Sequence, residues 1–305
     1  MKTDMRDKKQ GKRYSYLWAV LYGVLLAGYA VFTLLDAFVL PRDMIYLKDV
    51  TDRVESEDLA EPIITDTSYE SAGIAITITT QRKYDTEIYI ADVTIKDISY
   101  LRAGLAGGAF GRNVKDTTSA MAEENNAILA INGDYYGFRD SGLVMRNGYF
   151  YRDTARTAGD DDALIIYKDG HMEILGESDA NIEALAKDAI QIFSFGPGLI
   201  QNGEILVDEF SEVEHAMRSN PRTAIGEISP LHYIFLVSDG RTRESEGLSL
   251  RELAQFMQEL GCKTAYNLDG GGSSVMWFMG KVMNQPTNGR KDGERRVSDI
   301  VYIGR

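Results

Sequence analysis

Apolar residues are arranged along this chain in three patterns, and each predicts a different kind of element. Residues 14–40 form an almost unbroken apolar run with no charge from Leu17 to Leu35. A run of that length spans a bilayer as one helix. Further on, Ile74, Ile76 and Ile78 alternate with Ala75, Thr77 and Thr79, and Ile88, Tyr89, Ile90, Val93 and Ile95 follow a polar break. That alternation predicts a β-hairpin. Residues 163–167 and 171–175 flank Lys168-Asp169-Gly170 and predict a second hairpin. Short continuous apolar runs at 127–131 and 231–237 read as buried strands, as do 264–266 and 275–279. Helical spacing appears at 116–126, where Thr117 or Thr118 supplies a cap, and again at 248–261. In the second of these, Leu250, Leu253, Ala254, Met257 and Leu260 share one face, and Gly261 supplies the stop. The expected architecture is α+β, a mixed or antiparallel sheet core with a few packed helices, preceded by one N-terminal transmembrane helix.

Charge refines this picture. The net charge is −13, yet Lys2, Arg6, Lys8, Lys9, Lys12 and Arg13 crowd the first thirteen residues. Tyr14, Tyr16, Trp18 and Tyr22 gather at the start of the apolar run, where an aromatic belt sits. The positive-inside rule then places residues 1–13 in the cytoplasm and everything after Pro41 outside. A cleaved signal peptide is the competing reading. The run is longer than a usual signal core and no A-x-A site follows, so an uncleaved signal anchor over 14–40 is expected. Residues 41–70 read as an acidic stalk with a short helix over 49–59, and 71–305 as one catalytic domain. So acidic a body lacks the basic footprint of a nucleic-acid binder. Cys262 is the only cysteine and reads as a buried structural thiol.

The sharpest local signal is Asn267-Leu268-Asp269-Gly270-Gly271-Gly272-Ser273-Ser274. A carboxylate leaves a strand and meets three glycines and two hydroxyls, with apolar segments on both sides. A linker is not sealed in that way, and the amides of such a loop can curl into an anion-binding nest. Asn132-Gly133-Asp134 and Asp239-Gly240-Arg241 close two other apolar strands, and Asn220-Pro221-Arg222-Thr223 opens a third. Polar termini on several buried strands suggest one shared pocket rim. Asp134 and Asp269 form a candidate pair of glycosidic carboxylates. Arg222 and Arg241 are candidate clamps for phosphate, because guanidinium matches its fork geometry. Residues 105–113 read as a mobile glycine-rich loop that brings Arg112 and Asn113 to the same pocket. His171, His215 and His232 are dispersed and carry no zinc spacing. The sequence requires no cofactor, and its carboxylates leave room for an oxygen-ligated Ca²⁺ or Mg²⁺. Ser273-Ser274 lacks the G-x-S-x-G elbow of a serine hydrolase.

Taken in order, residues 130–136, 220–226, Asp239-Gly240-Arg241, 247–250 and 267–274 resemble the phosphodiester glycosidase family across roughly residues 75–305. Membership implies an α+β fold and hydrolysis of a sugar-1-phosphodiester. Asp134 stands where many members have glycine, so the resemblance implies no family-wide role for it. On this reading Asp269 is the first catalytic carboxylate and Asp134 the second, and Asn132 and Asn267 orient sugar hydroxyls. Arg222 and Arg241 take the phosphate with the Gly270, Gly271 and Gly272 amides and Ser273, and Thr223, Asp239 and Arg112 complete the substrate-contacting set. The expected protein is anchored through 14–40 and faces outward. It acts on sugar-phosphate polymers or glycoconjugates of the envelope. The alternatives are a noncatalytic polysaccharide- or sugar-phosphate-binding protein, or a transferase in exopolysaccharide assembly.

Overall fold

The alternating isoleucines form the frame of the main sheet. In the computed structural model, strands Ile74–Lys83 and Thr86–Ile95 pair in register from Ile74↔Ile95 to Lys83↔Thr86. Tyr84 and Asp85 make the two-residue turn, both at positive φ (53° and 51°), which is the twist that a tight hairpin needs. The structure describes residues 4–50, 61–156, 161–208, 219–288 and 291–304. Two compact units result, Met1–Asp43 and Met44–Arg305.

The first unit is the helix Asp4–Phe38. Its apolar stretch Tyr16–Phe38 is 23 residues long and unburied by protein. At about 1.5 Å per residue it reaches roughly 34 Å, enough for a hydrocarbon core of about 30 Å.

The second unit holds three larger antiparallel sheets. In the nine-stranded sheet, the hairpin is flanked on one side by Ser68–Glu70 and Ile63–Ile64. On the other side lie His232–Ser238, Thr223–Ser229, Thr264–Leu268, Gly198–Gln201 and Glu204–Ile205. A five-stranded sheet centres on Ala127–Asn132, between Met276–Phe278 and Asp299–Gly304. A second five-stranded sheet contains Val144–Arg146, Ala189–Phe193 and the predicted hairpin Asp162–Tyr167/Met172–Gly176. One apolar cluster unites all three, with Ile76 and Phe235, Ile131 and Val301, and Leu164 and Phe193 among its members. Helix Leu250–Glu259 packs Leu253, Ala254 and Met257 on the large sheet, and a Ser249–Glu252 capping box satisfies its first amides. Helix Thr118–Glu124, capped by Thr117, covers the first five-stranded sheet.

Two expectations change. The segment 41–70 is not a detached stalk: residues 63–64 and 68–70 are sheet strands, and the Leu47 and Val50 amides bond Gly108 and Asn147 carbonyls. The expected helix over 49–59 falls almost wholly outside the described residues. Residues 105–113 are not a mobile loop either. They complete strand Leu101–Leu105, turn through Ala106–Gly108 and form strand Ala109–Arg112, with Leu105, Ala106 and Ala109 buried. Small apolar side chains there are core contacts.

Candidate active site

Strand Thr264–Leu268 runs through the large sheet and delivers Asp269 to its end. Beyond it the chain must turn beneath two arginines. Gly271 is left-handed (φ 65°), and a Cβ there would lie 3.0 Å from Arg241 Nη2. A Cβ on Gly272 would lie 2.9 Å from Arg295 Nη2. The glycines therefore let two guanidinium groups close on the backbone. The loop amides are mostly spent within the protein: Gly271 bonds the Pro221 carbonyl, and Ser273 and Ser274 bond Gly270 and Gly271. Positive charge here comes from side chains more than from the expected nest.

Desolvation raises the Asp269 carboxyl to about 6, and nearby Asp134 adds to the rise. The Ser273 hydroxyl and the charges of Arg295 and Arg139 pull the other way. Ser273 Oγ is itself buried without a hydrogen bond of normal geometry. Asn132 holds the Asp269 carbonyl through Nδ2 (2.6 Å), while its Oδ1 accepts from Thr223 Oγ1 (2.8 Å) and the Val275 amide (3.1 Å). Asn132 and Thr223 are thus fully engaged in stitching two sheets together behind the carboxylate. Asn267 donates to the Gly196 carbonyl (2.7 Å), and its Oδ1 has no partner among the described residues.

Asp134 lies in a buried network. Its carboxylate accepts from the Tyr135 amide (2.6 Å) and the Ser194 amide (2.8 Å), with Arg146 Nη2 at 3.7 Å. Arg146, fully buried, binds Asp299 Oδ2 through Nε and Nη2, both at 2.7 Å. Asp299 in turn accepts the Asp134 amide (2.7 Å), its carbonyl takes the Gly133 amide (3.0 Å), and the Gly133 carbonyl takes the Asp269 amide (3.1 Å). Burial raises the Asp299 carboxyl to about 6 against the opposing charge of Arg146. One hydrogen-bonded chain therefore runs from Arg146 to the Asp269 backbone.

The remaining predicted residues separate. Arg241 packs on Gly271 and bonds Asn220 Oδ1 (2.9 Å); desolvation and the charge of Arg295 weaken its hold on its proton. Arg222 is buried, and its Nε donates to the Leu248 carbonyl (2.8 Å). Asp239 accepts from the Gln285 amide (2.8 Å), Asn284 and Tyr89, fixing the segment that covers the glycines. Arg112 pairs with Asp140 at 2.8 Å. Cys262 is buried, and burial pushes its thiol up to about 12.

Asp269, Asp134 and Ser273 open on a cleft of about 260 Å³ that is also lined by Lys115, Arg295 and Arg296. Tyr135 and Phe138 stack along it at 4.5 Å. Sequence reasoning missed Arg146, Asp299, Arg295, Arg296 and Lys115. The Arg295-Arg296 pair just before the last apolar strand was the one available signal. Among the described residues no group of three or more His, Cys, Asp or Glu side chains is placed to hold a metal ion.

The phosphodiester glycosidase family model matches residues 125–304. The chain belongs to this family. The match contains Asp134, Asp269, Arg295 and Asp299 but begins after Lys115. The SPbeta prophage-derived uncharacterized protein YomE of Bacillus subtilis is 30% identical over 200 residues, covering 64% of this chain and 30% of that protein. The N-acetylglucosamine-1-phosphodiester alpha-N-acetylglucosaminidase of Bos taurus is 26% identical over 229 residues, 68% of this chain and 42% of the relative. The chain thus spans less than half the length of these relatives. Among solved structures, the zebrafish N-acetylglucosamine-1-phosphodiester alpha-N-acetylglucosaminidase catalytic domain, auto-inhibited by its pro-peptide, superposes with a TM-score of 0.60 at 21% identity. That alignment covers 76% of this chain and 83% of the other. A hypothetical protein from Synechocystis aligns with a TM-score of 0.51 at 16% identity, over 76% and 62% of the two chains. Both share the fold.

Proposed function

We propose that this family member hydrolyses the glycosidic bond of sugar-1-phosphodiesters, releasing a free sugar and a phosphomonoester. The observation that carries the reading is the pairing of Asp269, with its carboxyl raised to about 6, with Arg295 and Arg241 against the adjacent glycines. Ionised Asp269 takes a proton from a water that attacks the anomeric carbon. The carbon–oxygen bond breaks, and its electron pair leaves on the phosphate oxygen. A phosphate leaving group is a stable anion whose second pKa is about 6, so it needs charge stabilisation more than protonation. Arg295 and Arg241 provide that charge, and the Ser273 hydroxyl offers a hydrogen bond. Asp134, held by two amides and facing Arg146, lies beside Asp269 and adds to the rise of that carboxyl. The apolar helix Tyr16–Phe38 supports membrane anchoring, and the proposal extends to an outward-facing enzyme acting on sugar-phosphate glycoconjugates of the envelope.

Turnover of a sugar 1-(methyl phosphate) in ¹⁸O-water tests the reaction. Cleavage at carbon leaves the phosphomonoester unlabelled, whereas ¹⁸O in that product means attack at phosphorus and overturns the glycosidase reading. Binding without product would favour the sugar-phosphate-binding alternative.

A further inference from the structure

The proposed cleavage leaves two of the cations that line the cleft without a role. Arg295 and Arg241 bracket the glycines beside Asp269. Lys115 and Arg296 line the same cleft, are exposed, and form no ion pair within 4.0 Å among the described residues. Three other carboxylates are committed elsewhere: Asp116 Oδ1 accepts the Thr117 amide, Glu294 accepts the Ser119 amide, and Asp140 pairs with Arg112. The placement of Lys115 is built into the fold. An antiparallel bridge joins Asp116 and Val297 through bonds of 3.0 and 2.7 Å. That register sets Lys115 across from Ser298 and beside Arg296. The Lys115 ammonium also lies 5.4 Å from the Phe138 ring centroid, over the Tyr135–Phe138 stack.

An independent observation marks a ligand here. Ser298 is among the residues lining the cleft and is 1% exposed, and its hydroxyl, packed beside Gly137, has no hydrogen-bond partner among the described residues. Buried hydroxyls are nearly always satisfied by protein, water or ligand. A phosphate oxygen bound beside it would accept from Ser298 while facing Lys115 and Arg296.

We propose that Lys115, Arg296 and Ser298 form a second anion subsite, which takes a further phosphate on the leaving-group side of the scissile bond. The assignment rests on the glycosidase reading for its substrate, but the subsite can be measured without turnover. Two sources share this chemistry, a sugar joined through a diphosphate and a polymer of repeating sugar 1-phosphates.

The full chain in detergent micelles is assayed with a sugar 1-(methyl phosphate), a nucleoside-diphosphate sugar and a short oligomer of sugar 1-phosphate. The wild type should prefer at least one doubly phosphorylated probe, and which one identifies the source. In the Lys115→Ala/Arg296→Ala double variant, that preference, read as a ratio of kcat/KM values, should fall tenfold or more. No preference in the wild type, or an unchanged ratio in the variant, overturns the subsite. Calorimetric titration of inorganic diphosphate separates this claim from catalysis. The double variant should bind it at least tenfold more weakly and Ser298→Ala several-fold more weakly, whereas equal affinities in all three overturn the proposal. Intact, variant-sensitive diphosphate binding without sugar release from any probe would sink the hydrolase reading and leave the subsite standing.

Discussion

Arg146 and Asp299 show what a single residue can do at a distance from the cleft. Neither faces the cleft, yet their pair anchors the backbone on which Asp269 rests. Both are fully buried, so removing one partner strands the other's charge at a cost of about 3–5 kcal/mol. Arg146→Met and Asp299→Leu should each destabilise by that amount in urea denaturation. The double variant should cost clearly less than the sum of the singles, and simple additivity would contradict the pairing. Asp269 was legible in the sequence because a triple glycine between two apolar strands has few explanations. Arg146 and Asp299 were not, since each is a lone charge at the edge of an apolar strand and only the folded sheet brings them together. Asn132, expected to orient sugar, and Thr223, expected in the substrate-contacting set, bond each other, and Asn132 also holds the Asp269 carbonyl.

At the scale of elements, the glycine loop and the segment that covers it behave as one unit. Asp239 fixes residues 284–285, and the Thr287 carbonyl comes within 3.0 Å of the place where a Cβ on Gly272 would stand. Gly272→Ala must therefore displace both Arg295 and that carbonyl. We expect KM for a phosphodiester to rise about tenfold, equivalent to about 1.4 kcal/mol, and an unchanged KM would show that Arg295 does not hold the phosphate. Most elements could be read from periodicity, including the isoleucine hairpin, the capped 250–259 helix and the strand ending at Asn132. Residues 105–113 misled because glycine and alanine are equally suited to a loop and to a tightly packed strand. The short strands at 63–64 and 68–70 escaped because two or three residues carry no measurable period.

For the whole molecule, a chain of net charge −13 carries a cleft lined by three cations and two carboxylates, and an apolar helix precedes that domain in sequence. The convergence of three sheets on Asp269 was beyond the sequence, because strand order across sheets leaves no local pattern. Anchoring predicts that the full chain stays in the membrane pellet after carbonate extraction; a shortened, soluble product would indicate a cleaved signal peptide instead. The central claim is that Asp269, ionised above about 6, drives cleavage of the sugar–phosphate bond. The direct measurement is kcat/KM for a sugar 1-(methyl phosphate) against pH, for the wild type and Asp269→Asn. Wild-type activity should fall about tenfold per unit as the pH drops below 6 and Asp269 takes up its proton. Asp269→Asn should lose at least about 10²-fold and the acid limb with it. A folded Asp269→Asn protein with wild-type activity and the same acid limb would contradict the account.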